Sequence, residues 1–405
     1  MKKKVVTIII ALIILFLNIN ISFASENTET HVMLDDDTQM LDNSKETLKN
    51  IEVEVYETGG IYQVEEYGSI QKYQDVKVRI LEGKYKGQEF ETKYCISYDI
   101  NGNIDSYSLE PGNKANTQIT VEDGKITNVV ILNYERAPVI YIMIGIFFLV
   151  ILLIGRTKGI KAIIAFVLTI IAIFFVMLQS IINGQSAILM SIVVSVGIII
   201  ITFVIISGFS KKTLTAIIGT SGGVICAGMT ALIVGAAAKL SGVNEEAIFL
   251  SANTQNLIFN FKELLFAGIV ISSLGACMDV GMSIASALDE LKEKKPDIGK
   301  FELIKSGMNI GGDIIGTMTN TLILAYIGGA INIVLLYIVE QFSINEIINI
   351  EIIATDVISA ITASLGVMFT VPITAVVYGL LNKKNNNKED NIKNNDKDRS
   401  RSLKL

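Results

Sequence analysis

The sequence predicts a polytopic α-helical membrane protein of about seven spans, preceded by a small N-terminal β-barrel-like domain. Hydrophobic residues make up 51% of its 405 residues, and the mean hydropathy of +0.51 is too high for a soluble protein of this size. After residue 138, apolar runs of about 20 residues follow one another, which is the length that crosses a bilayer core. Before that point, short segments alternate polar and apolar residues, as half-buried strands do.

The N-terminal 24 residues have the composition of a secretory signal peptide. Lys2 to Lys4 form a charged start, an apolar core follows, and Ser22-Phe23-Ala24 is a small-x-small cleavage site. An uncleaved anchor helix is the alternative, although the apolar core is short for a span. Residues 25–49 are polar and acidic, so we expect a linker without a packed core of its own.

Residues 50–136 are predicted to form one small β domain. IEVEVY and DVKVRIL alternate strictly, and NGN, EPGN and EDGK mark turns between further short segments. Five or six strands in such a length suggest an OB-like or SH3-like barrel. The mixed to acidic charge argues against nucleic acid as its ligand, so we expect a scaffold or a docking site for a protein partner.

The remainder, residues 138–381, is predicted to be the membrane domain. Pro138 opens the first span, and the sixth is long enough to contain a break at Gly328-Gly329. The predicted spans are about 138–155, 161–180, 186–208, 213–238, 264–288, 308–338 and 353–381.

Loop charges predict the orientation. If a signal sequence places the β domain outside, the segments left in the cytoplasm carry most lysines and arginines, including Arg156, Lys158 and the 288–307 loop. The other loops are mainly acidic. We therefore expect a bacterial cytoplasmic membrane protein with its N-terminal domain outside. Residues 382–405, rich in asparagine and lysine, are expected to be a solvated cytoplasmic tail.

Two apolar runs carry polar stripes at helical spacing. In the predicted sixth span, residues three and four apart share a face, and these include Asn309, Asp313, Thr317 and Asn320. In the fifth span the corresponding stripe contains Ser272, Gly275, Asp279, Ser283 and Ser286. Both aspartates are expected about 12–15 Å from the cytoplasmic boundary, at 1.5 Å per residue.

The two aspartates are the candidate binding residues for an ion or substrate, with Asn309, Thr317, Asn320, Ser272 and Ser283 beside them. An aspartate near the bilayer centre costs about 2.5–3.5 kcal/mol and usually marks an ion or proton pathway. Two close carboxylates would share a proton or hold a cation. The alternatives are an N-cap role for Asp313 and a structural hydrogen-bonding role for Asp279.

Glycines in the same runs predict close helix packing. Gly307 and Gly311 are four residues apart, as are Gly312 and Gly316, and both pairs form the GxxxG pattern that lets helices approach closely. Gly275 is the small residue in the stripe of the fifth span. We interpret all five as packing residues and not as ligands.

An internal repeat is a further hypothesis. GGVICAGMTALIVGA, from Gly222, aligns with GGDIIGTMTNTLILA, from Gly311, and the two SLG triplets at 273–275 and 364–366 lie at nearly matching offsets. Such a parallel repeat would relate the helices by an axis along the membrane normal; chance similarity of common residues is the alternative. The alignment places Asp313 opposite Val224, Asn320 opposite Ala231, and Asp279 opposite Thr370.

The segments GGDIIGTMTNTLILAYIG, SANTQNLIFNFKELLFAGIV and GACMDVGMSIASALDEL resemble the YibE/F-like family of bacterial multi-pass membrane proteins. The resemblance extends from VRILEGKYKGQEF in the β domain to the last span. It implies a bacterial cytoplasmic membrane protein with a variable N-terminal part. It brings no established activity or substrate, so mechanism must come from the residues.

Three functions compete. The first is a permease for a small solute or ion, coupled through buried carboxylates. The second is a non-catalytic sensor or assembly factor that binds a partner at the β domain. The third is an intramembrane aspartyl hydrolase, disfavoured because Ile310-Gly311-Gly312-Asp313 lacks the first glycine of GxGD and Met278 replaces the tyrosine before Asp279.

Other chemistry has little support in the sequence. It lacks GxxxxGK[ST], HExxH and GxSxG, and its one histidine, His31, lies in the polar N-terminal stretch. The three cysteines form no CxxC pair. We therefore expect no enzyme activity and no cofactor, and the sequence leaves any metal and the oligomeric state open. The lipid bilayer is the one partner that the composition requires.

Overall fold

The computed structural model describes residues 45–66, 69–96, 107–122, 124–253 and 259–382. These residues fall into two compact units, one ending at Ile140 and the other beginning at Tyr141. The predicted signal peptide, most of the predicted linker and the predicted tail lie outside the described residues.

The first unit is a five-stranded antiparallel sheet in the order β3-β2-β1-β4-β5. Alternating residues bring one apolar face together in a core that includes Val53, Val55, Val76, Val78 and Ile119. The first strand begins within the predicted linker, five residues before the predicted boundary. The strands are β1 (Lys45–Glu66), β2 (Ser69–Ile80), β3 (Glu89–Cys95), β4 (Lys114–Glu122) and β5 (Lys125–Tyr134).

The sheet curls into a half-barrel. Its two edge strands meet where the Thr92 hydroxyl of β3 donates to the Val129 carbonyl of β5. Inside, the buried Gln74 amide donates to the Leu109 carbonyl and accepts from the Leu109 N–H, both at 2.9 Å. Both polar ends of the buried amide are thus satisfied, as a buried polar group requires. The five strands confirm the predicted small β domain in its coarse form.

The second unit is helical. Its long helices are apolar on nearly all sides, the pattern of helices that are buried or surrounded by lipid. The helices are α1 (Ala137–Ile171), which continues through a π-helical segment (Ala172–Leu178) into α2 (Gln179–Ile182), then α3 (Ala187–Ser207), α4 (Lys211–Ala237), α5 (Glu245–Asn253), α6 (Phe261–Lys294), α7 (Lys300–Val339), α8 (Ile344–Asn349) and α9 (Glu351–Leu381).

Six helical runs among the described residues are long and apolar enough to cross a membrane. The first covers 46 residues, Ala137–Ile182, where the sequence predicts two spans. Arg156 interrupts that run with φ of 47°, a left-handed conformation that L-residues rarely adopt. The predicted break at Gly328-Gly329 is wrong, because α7 is helical from Lys300 to Val339.

Helices α6 and α9 hold the bundle together. Helix α9 packs most extensively on α4 and also on α7 and α6, while α6 contacts α3, α4 and α7. Glycines make the closest crossings. A methyl group at Gly223 of α4 would come within 2.8 Å of the Gly366 carbonyl of α9, and one at Gly366 within 2.8 Å of Ala227. Backbones in membrane bundles approach this closely only where small residues meet.

Candidate functional site

Helix α7 packs through one face and leaves the opposite face uncovered. The packed face contains Leu303, Gly307 and Gly311, and Ile314, Ile315, Met318 and Leu322 continue it against the core. The predicted polar stripe, Asn309, Asp313, Thr317 and Asn320, is exposed at every position. At 100° per residue this stripe centres on the side away from the packed face. The side chains therefore point away from the bundle of the single chain.

Helix α6 also has one uncovered stripe. Ser272, Gly275, Asp279 and Ser283 are all exposed, although most other positions of this part of α6 are buried or half-buried. Helix α3 reaches one flank of the stripe, where the Ser207 hydroxyl donates to the Met282 sulfur. Helix α7 reaches the other flank, where the Tyr326 hydroxyl donates to the Ser272 hydroxyl at 2.8 Å. The Asp279 stripe thus lies between two neighbouring helices.

The two aspartates do not form the pair that the sequence suggests. Gly307 of α7 lies against Leu288 of α6, and Tyr326 lies against Ser272. This antiparallel register puts Asp279 level with Thr317, so the aspartates are offset by about four residues, or roughly 6 Å. Asp313 also points away from α6. The expected facing arrangement is therefore wrong for a single chain.

The structure also tests the two structural alternatives. Helix α7 begins at Lys300, so Asp313 lies more than three turns inside the helix and is not its N-cap. Asp279 makes no hydrogen bond or ion pair with any described residue. Neither carboxylate is explained as part of the bundle's own scaffold.

Sequence reasoning missed a third carboxylate, Asp289, which follows Asp279 by ten residues on α6. The buried Tyr378 of α9 donates its hydroxyl to the Asp289 carboxylate at 2.9 Å. The phenol oxygen needs a partner because its ring lies in the core. A tyrosine inside an apolar span was the available signal, since buried tyrosines usually require an acceptor. This contact fastens α6 to α9 and is structural.

The five predicted packing glycines divide into two groups. A methyl group at Gly307 would come within 2.8 Å of Ala375 of α9, and one at Gly311 would collide with Val371. Gly275, Gly312 and Gly316 have open space at the position of a Cβ atom. Within one chain, Gly307 and Gly311 therefore serve helix packing. The other three glycines leave open space on the helix surface.

The aligned segments of the hypothetical repeat are used in different ways. Val224 and Ala231 of α4 and Thr370 of α9 have no exposed surface. Their aligned counterparts Asp313 and Asn320 of α7 and Asp279 of α6 are exposed. In this alignment, buried positions of α4 and α9 therefore correspond to exposed polar positions of α7 and α6.

Each stripe carries a carboxylate, and no basic residue lies in the same stretch of sequence. The sequence has no lysine or arginine from 263 to 291 or from 306 to 382, which covers both stripes. Within the described ranges, no three histidine, cysteine or acidic side chains come together to hold a metal ion. The stripes can hold a proton or a single cation, or hydrogen-bond a polar solute through hydroxyl and amide groups.

Comparisons with known proteins agree with the helical unit. No curated protein and no solved structure matches the chain. The family model described as YibE/F-like protein matches residues 143–384, which is more than half of the chain and includes every predicted site residue. The match does not include the half-barrel, so it confirms the resemblance over the helices only. The protein is a multi-pass membrane protein, and the chain belongs to the YibE/F-like family.

Proposed function

We propose that this protein is a permease that moves a small solute or ion, with proton or cation coupling at Asp279 and Asp313. The observation that carries the proposal is the placement of both aspartates on uncovered polar stripes of membrane-length helices, without a basic partner. A carboxylate in hydrocarbon costs about 2.5–3.5 kcal/mol. A structural role would require a partner in the bundle, as Asp289 has in Tyr378, and among the described residues neither aspartate has one.

The Asp279 stripe is the better candidate for the pathway itself. It runs along α6 between the flanks that α3 and α7 contact, and it combines hydroxyls, a glycine and a carboxylate. Gly275 leaves space next to Asp279. A solute held there would meet oxygen ligands on α6 and the Tyr326 hydroxyl from α7. This arrangement suits a small cation or a solute with hydrogen-bond donors.

The proposal includes the predicted topology. Arg156 divides the first run, and 46 residues of helix would extend about 69 Å, twice the bilayer core. Two spans in that run give seven in all, with the half-barrel outside, the tail in the cytoplasm and the bacterial cytoplasmic membrane as the location. Under this proposal the protein has no enzymatic activity of its own.

A sensor or assembly role is the second candidate, and one feature of the half-barrel favours it. The hairpin of β1 and β2 exposes Ile61 and Ile70. Exposed apolar side chains on a strand pair offer a docking surface for a protein partner. Deleting the hairpin tip should abolish the signalling or assembly role if the protein is a sensor. The same deletion should leave cation-coupled flux intact if the protein is a permease.

Carbodiimide labelling tests the permease proposal. This reagent modifies carboxyl groups that stay protonated in apolar surroundings. The purified protein would be labelled across pH with and without Na⁺, K⁺ or Mg²⁺, and modification read by mass spectrometry at Asp279 and Asp313. Asp297, exposed in the loop between α6 and α7, is the control carboxylate.

The expected result is modification of Asp279 or Asp313 at neutral pH, blocked by one of the cations, with Asp297 unmodified. Absence of labelling at both membrane aspartates would overturn the permease proposal and favour the sensor. Labelling that no cation blocks would indicate a proton site and would direct flux assays in liposomes to proton gradients.

A further inference from the structure

The uncovered face of α7 has the spacing of a helix–helix seam. Asn309, Asp313, Gly316, Asn320, Ile323 and Ile327 follow one another at intervals of four and three residues, and all six are exposed. Alternation of four and three is the pattern by which two parallel helices pack along a common line. This seam therefore has the geometry of an interface along its full length, with a polar half and an apolar half.

Outside its packed face, the same helix is little covered in the single chain. From Asn309 to Ile327, Gly311 is the one buried residue, and all six seam positions are exposed. The bare face carries a carboxylate and two side-chain amides, which lipid cannot satisfy. Polar residues of membrane helices normally face the interior of a bundle. Something other than lipid must cover the polar half of α7.

Glycine placement indicates that the covering element is another helix. Gly316 lies on the seam and Gly312 borders it, and open space surrounds both at the Cβ position. In contrast, Gly307 and Gly311 are already used against α9. A second GxxxG pattern on the free side lets another helix backbone approach α7 closely.

We propose that a second copy of this chain packs against α7 through the Asn309–Ile327 seam, so that Asp313 and Asn320 of each copy meet their counterparts. Two parallel helices related by a two-fold axis along the membrane normal bring each seam residue against itself. Asn320 suits this contact, because a side-chain amide both donates and accepts and can hydrogen-bond its own counterpart. A polar asparagine on such a seam specifies its register, and this seam has two, Asn309 and Asn320.

The consequence for Asp313 goes beyond its role in the proposed permease and rests on that proposal for its functional meaning. Two carboxylates that meet across a seam cannot both ionise freely, so the pair shares one proton or holds one cation. The carboxylate pair that the sequence suggested would then exist, but between two copies and not between Asp279 and Asp313. The coupling site is incomplete in one chain.

Disulfide trapping in membranes tests the seam. The full chain, with Cys95→Ser, Cys226→Ala and Cys277→Ala, would receive one cysteine at a time: Gly316→Cys or Ile327→Cys on the seam, and Gly328→Cys as the control. Gly328 lies one residue from Ile327 on the same exposed helix, about 100° round the axis. It also has open space at its Cβ position, as Gly316 does. A disulfide requires Cα atoms about 4.4–6.8 Å apart.

We expect a product of twice the chain mass, lost on reduction, for Gly316→Cys and Ile327→Cys and not for Gly328→Cys. Equal cross-linking at all three positions would indicate random collision and overturn the proposal. A fourth variant, Gly275→Cys on the uncovered stripe of α6, tests the other exposed face. Cross-linking there in place of Gly316→Cys would place the interface elsewhere and overturn the proposal as well. Absence of any cross-link would do the same.

A second measurement does not depend on cysteine variants. The unmodified chain, labelled with one fluorophore and placed in bilayers at low density, should bleach in two steps, and Gly316→Leu should shift it to one step. One-step bleaching of the unmodified chain would contradict the proposal. Both readouts report association and not transport, so a dimer that moves no ion would leave the seam standing while the permease proposal failed.

Discussion

Two helices of this protein contain similar glycine-led segments and lie in opposite environments. Gly222–Ala236 of α4 and Gly311–Ala325 of α7 share a glycine pair and a Met-Thr pair. In α4 the segment is clamped between α6 and α9, and Val224 and Ala231 are fully buried. In α7, Asp313 and Asn320 stand at the aligned positions and are exposed. Similar glycine spacing thus does not decide which face a helix packs.

The difference lies in the residues between the glycines. An apolar stripe next to small residues gains from packing within the bundle, whereas a stripe with a carboxylate and two amides has no partner there. Helix α7 therefore turns its other glycine pair, Gly307 and Gly311, toward α9. The polar face is left for water, an ion or another chain.

Giving α6 and α7 the residues of their aligned partners should abolish the proposed coupling. Asp279→Thr and Asp313→Val should each abolish the carbodiimide labelling at that position and the cation-coupled flux in liposomes. The fold should persist, because neither carboxylate makes a hydrogen bond or ion pair with a described residue. Thermal denaturation in detergent should show a midpoint equal to or above that of the parent chain. Full flux in both variants would remove the aspartates from the mechanism.

The reverse exchange should damage the fold. Val224→Asp would place a carboxylate at a position with no exposed surface, and an unpaired buried charge costs about 3–5 kcal/mol. We expect the variant to accumulate poorly in membranes and to lose its folded peak in size-exclusion chromatography. Ile225→Asp, on the exposed side of the same helix, is the matched control for the cost of membrane insertion. Equal loss in both would mean that burial in the bundle is not the cause.

A single methyl group distinguishes the two glycine pairs. Gly223→Ala would bring a Cβ atom within 2.8 Å of the Gly366 carbonyl, and overpacking of this kind costs about 1–3 kcal/mol. Gly312→Ala, with open space around it, should leave the stability of the single chain unchanged. Unfolding in a detergent titration would compare the two. A larger loss in Gly312→Ala would show that the chain packs through the face assigned here as free.

The smallest effect concerns the carboxylate that does have a partner. Tyr378→Phe removes the hydrogen bond to Asp289 and should lower the free energy of unfolding by about 1 kcal/mol. Carbodiimide labelling at Asp279 should not change, because Asp289 joins two helices whereas Asp279 belongs to the proposed pathway. Tyr337→Phe, near the end of α7, is the control. A loss of flux in Tyr378→Phe without a loss of stability would assign Asp289 a functional role.

The sequence predicted most helices because their apolar runs have bilayer length, and the ends of α3, α4 and α9 fall within a few residues of the predictions. It predicts two spans before Ala187, whereas the structure has one helical run from Ala137 to Ile182 that is interrupted at Arg156. The five strands followed from alternation, but their order depends on pairing between distant segments. β1, for example, pairs with both β2 and β4.

The candidate site was predicted in part. Helical spacing placed Asn309, Asp313, Thr317 and Asn320 on one face of one helix, and the structure has them so. Spacing does not say toward which neighbour a face turns. That depends on whether Gly307 and Gly311 or Gly312 and Gly316 pack against α9, and both pairs fit the same pattern. The contact of Tyr378 with Asp289 joins residues 89 apart in sequence, beyond what local patterns encode.

The position of α9 also determines when this protein can fold during its synthesis. Helix α9 follows all the other described helices in the chain, and it fills the space beside α4, α6 and α7. Its first residue, Glu351, accepts hydrogen bonds from the backbone N–H groups of Ser241 and Gly242, 110 and 109 residues earlier. Until the ribosome has delivered α9, Gly219 and Gly223 of α4 have nothing to pack against. Helices α3, α4, α6 and α7 can make their mutual contacts before that point, but the bundle is complete only when its last helix arrives.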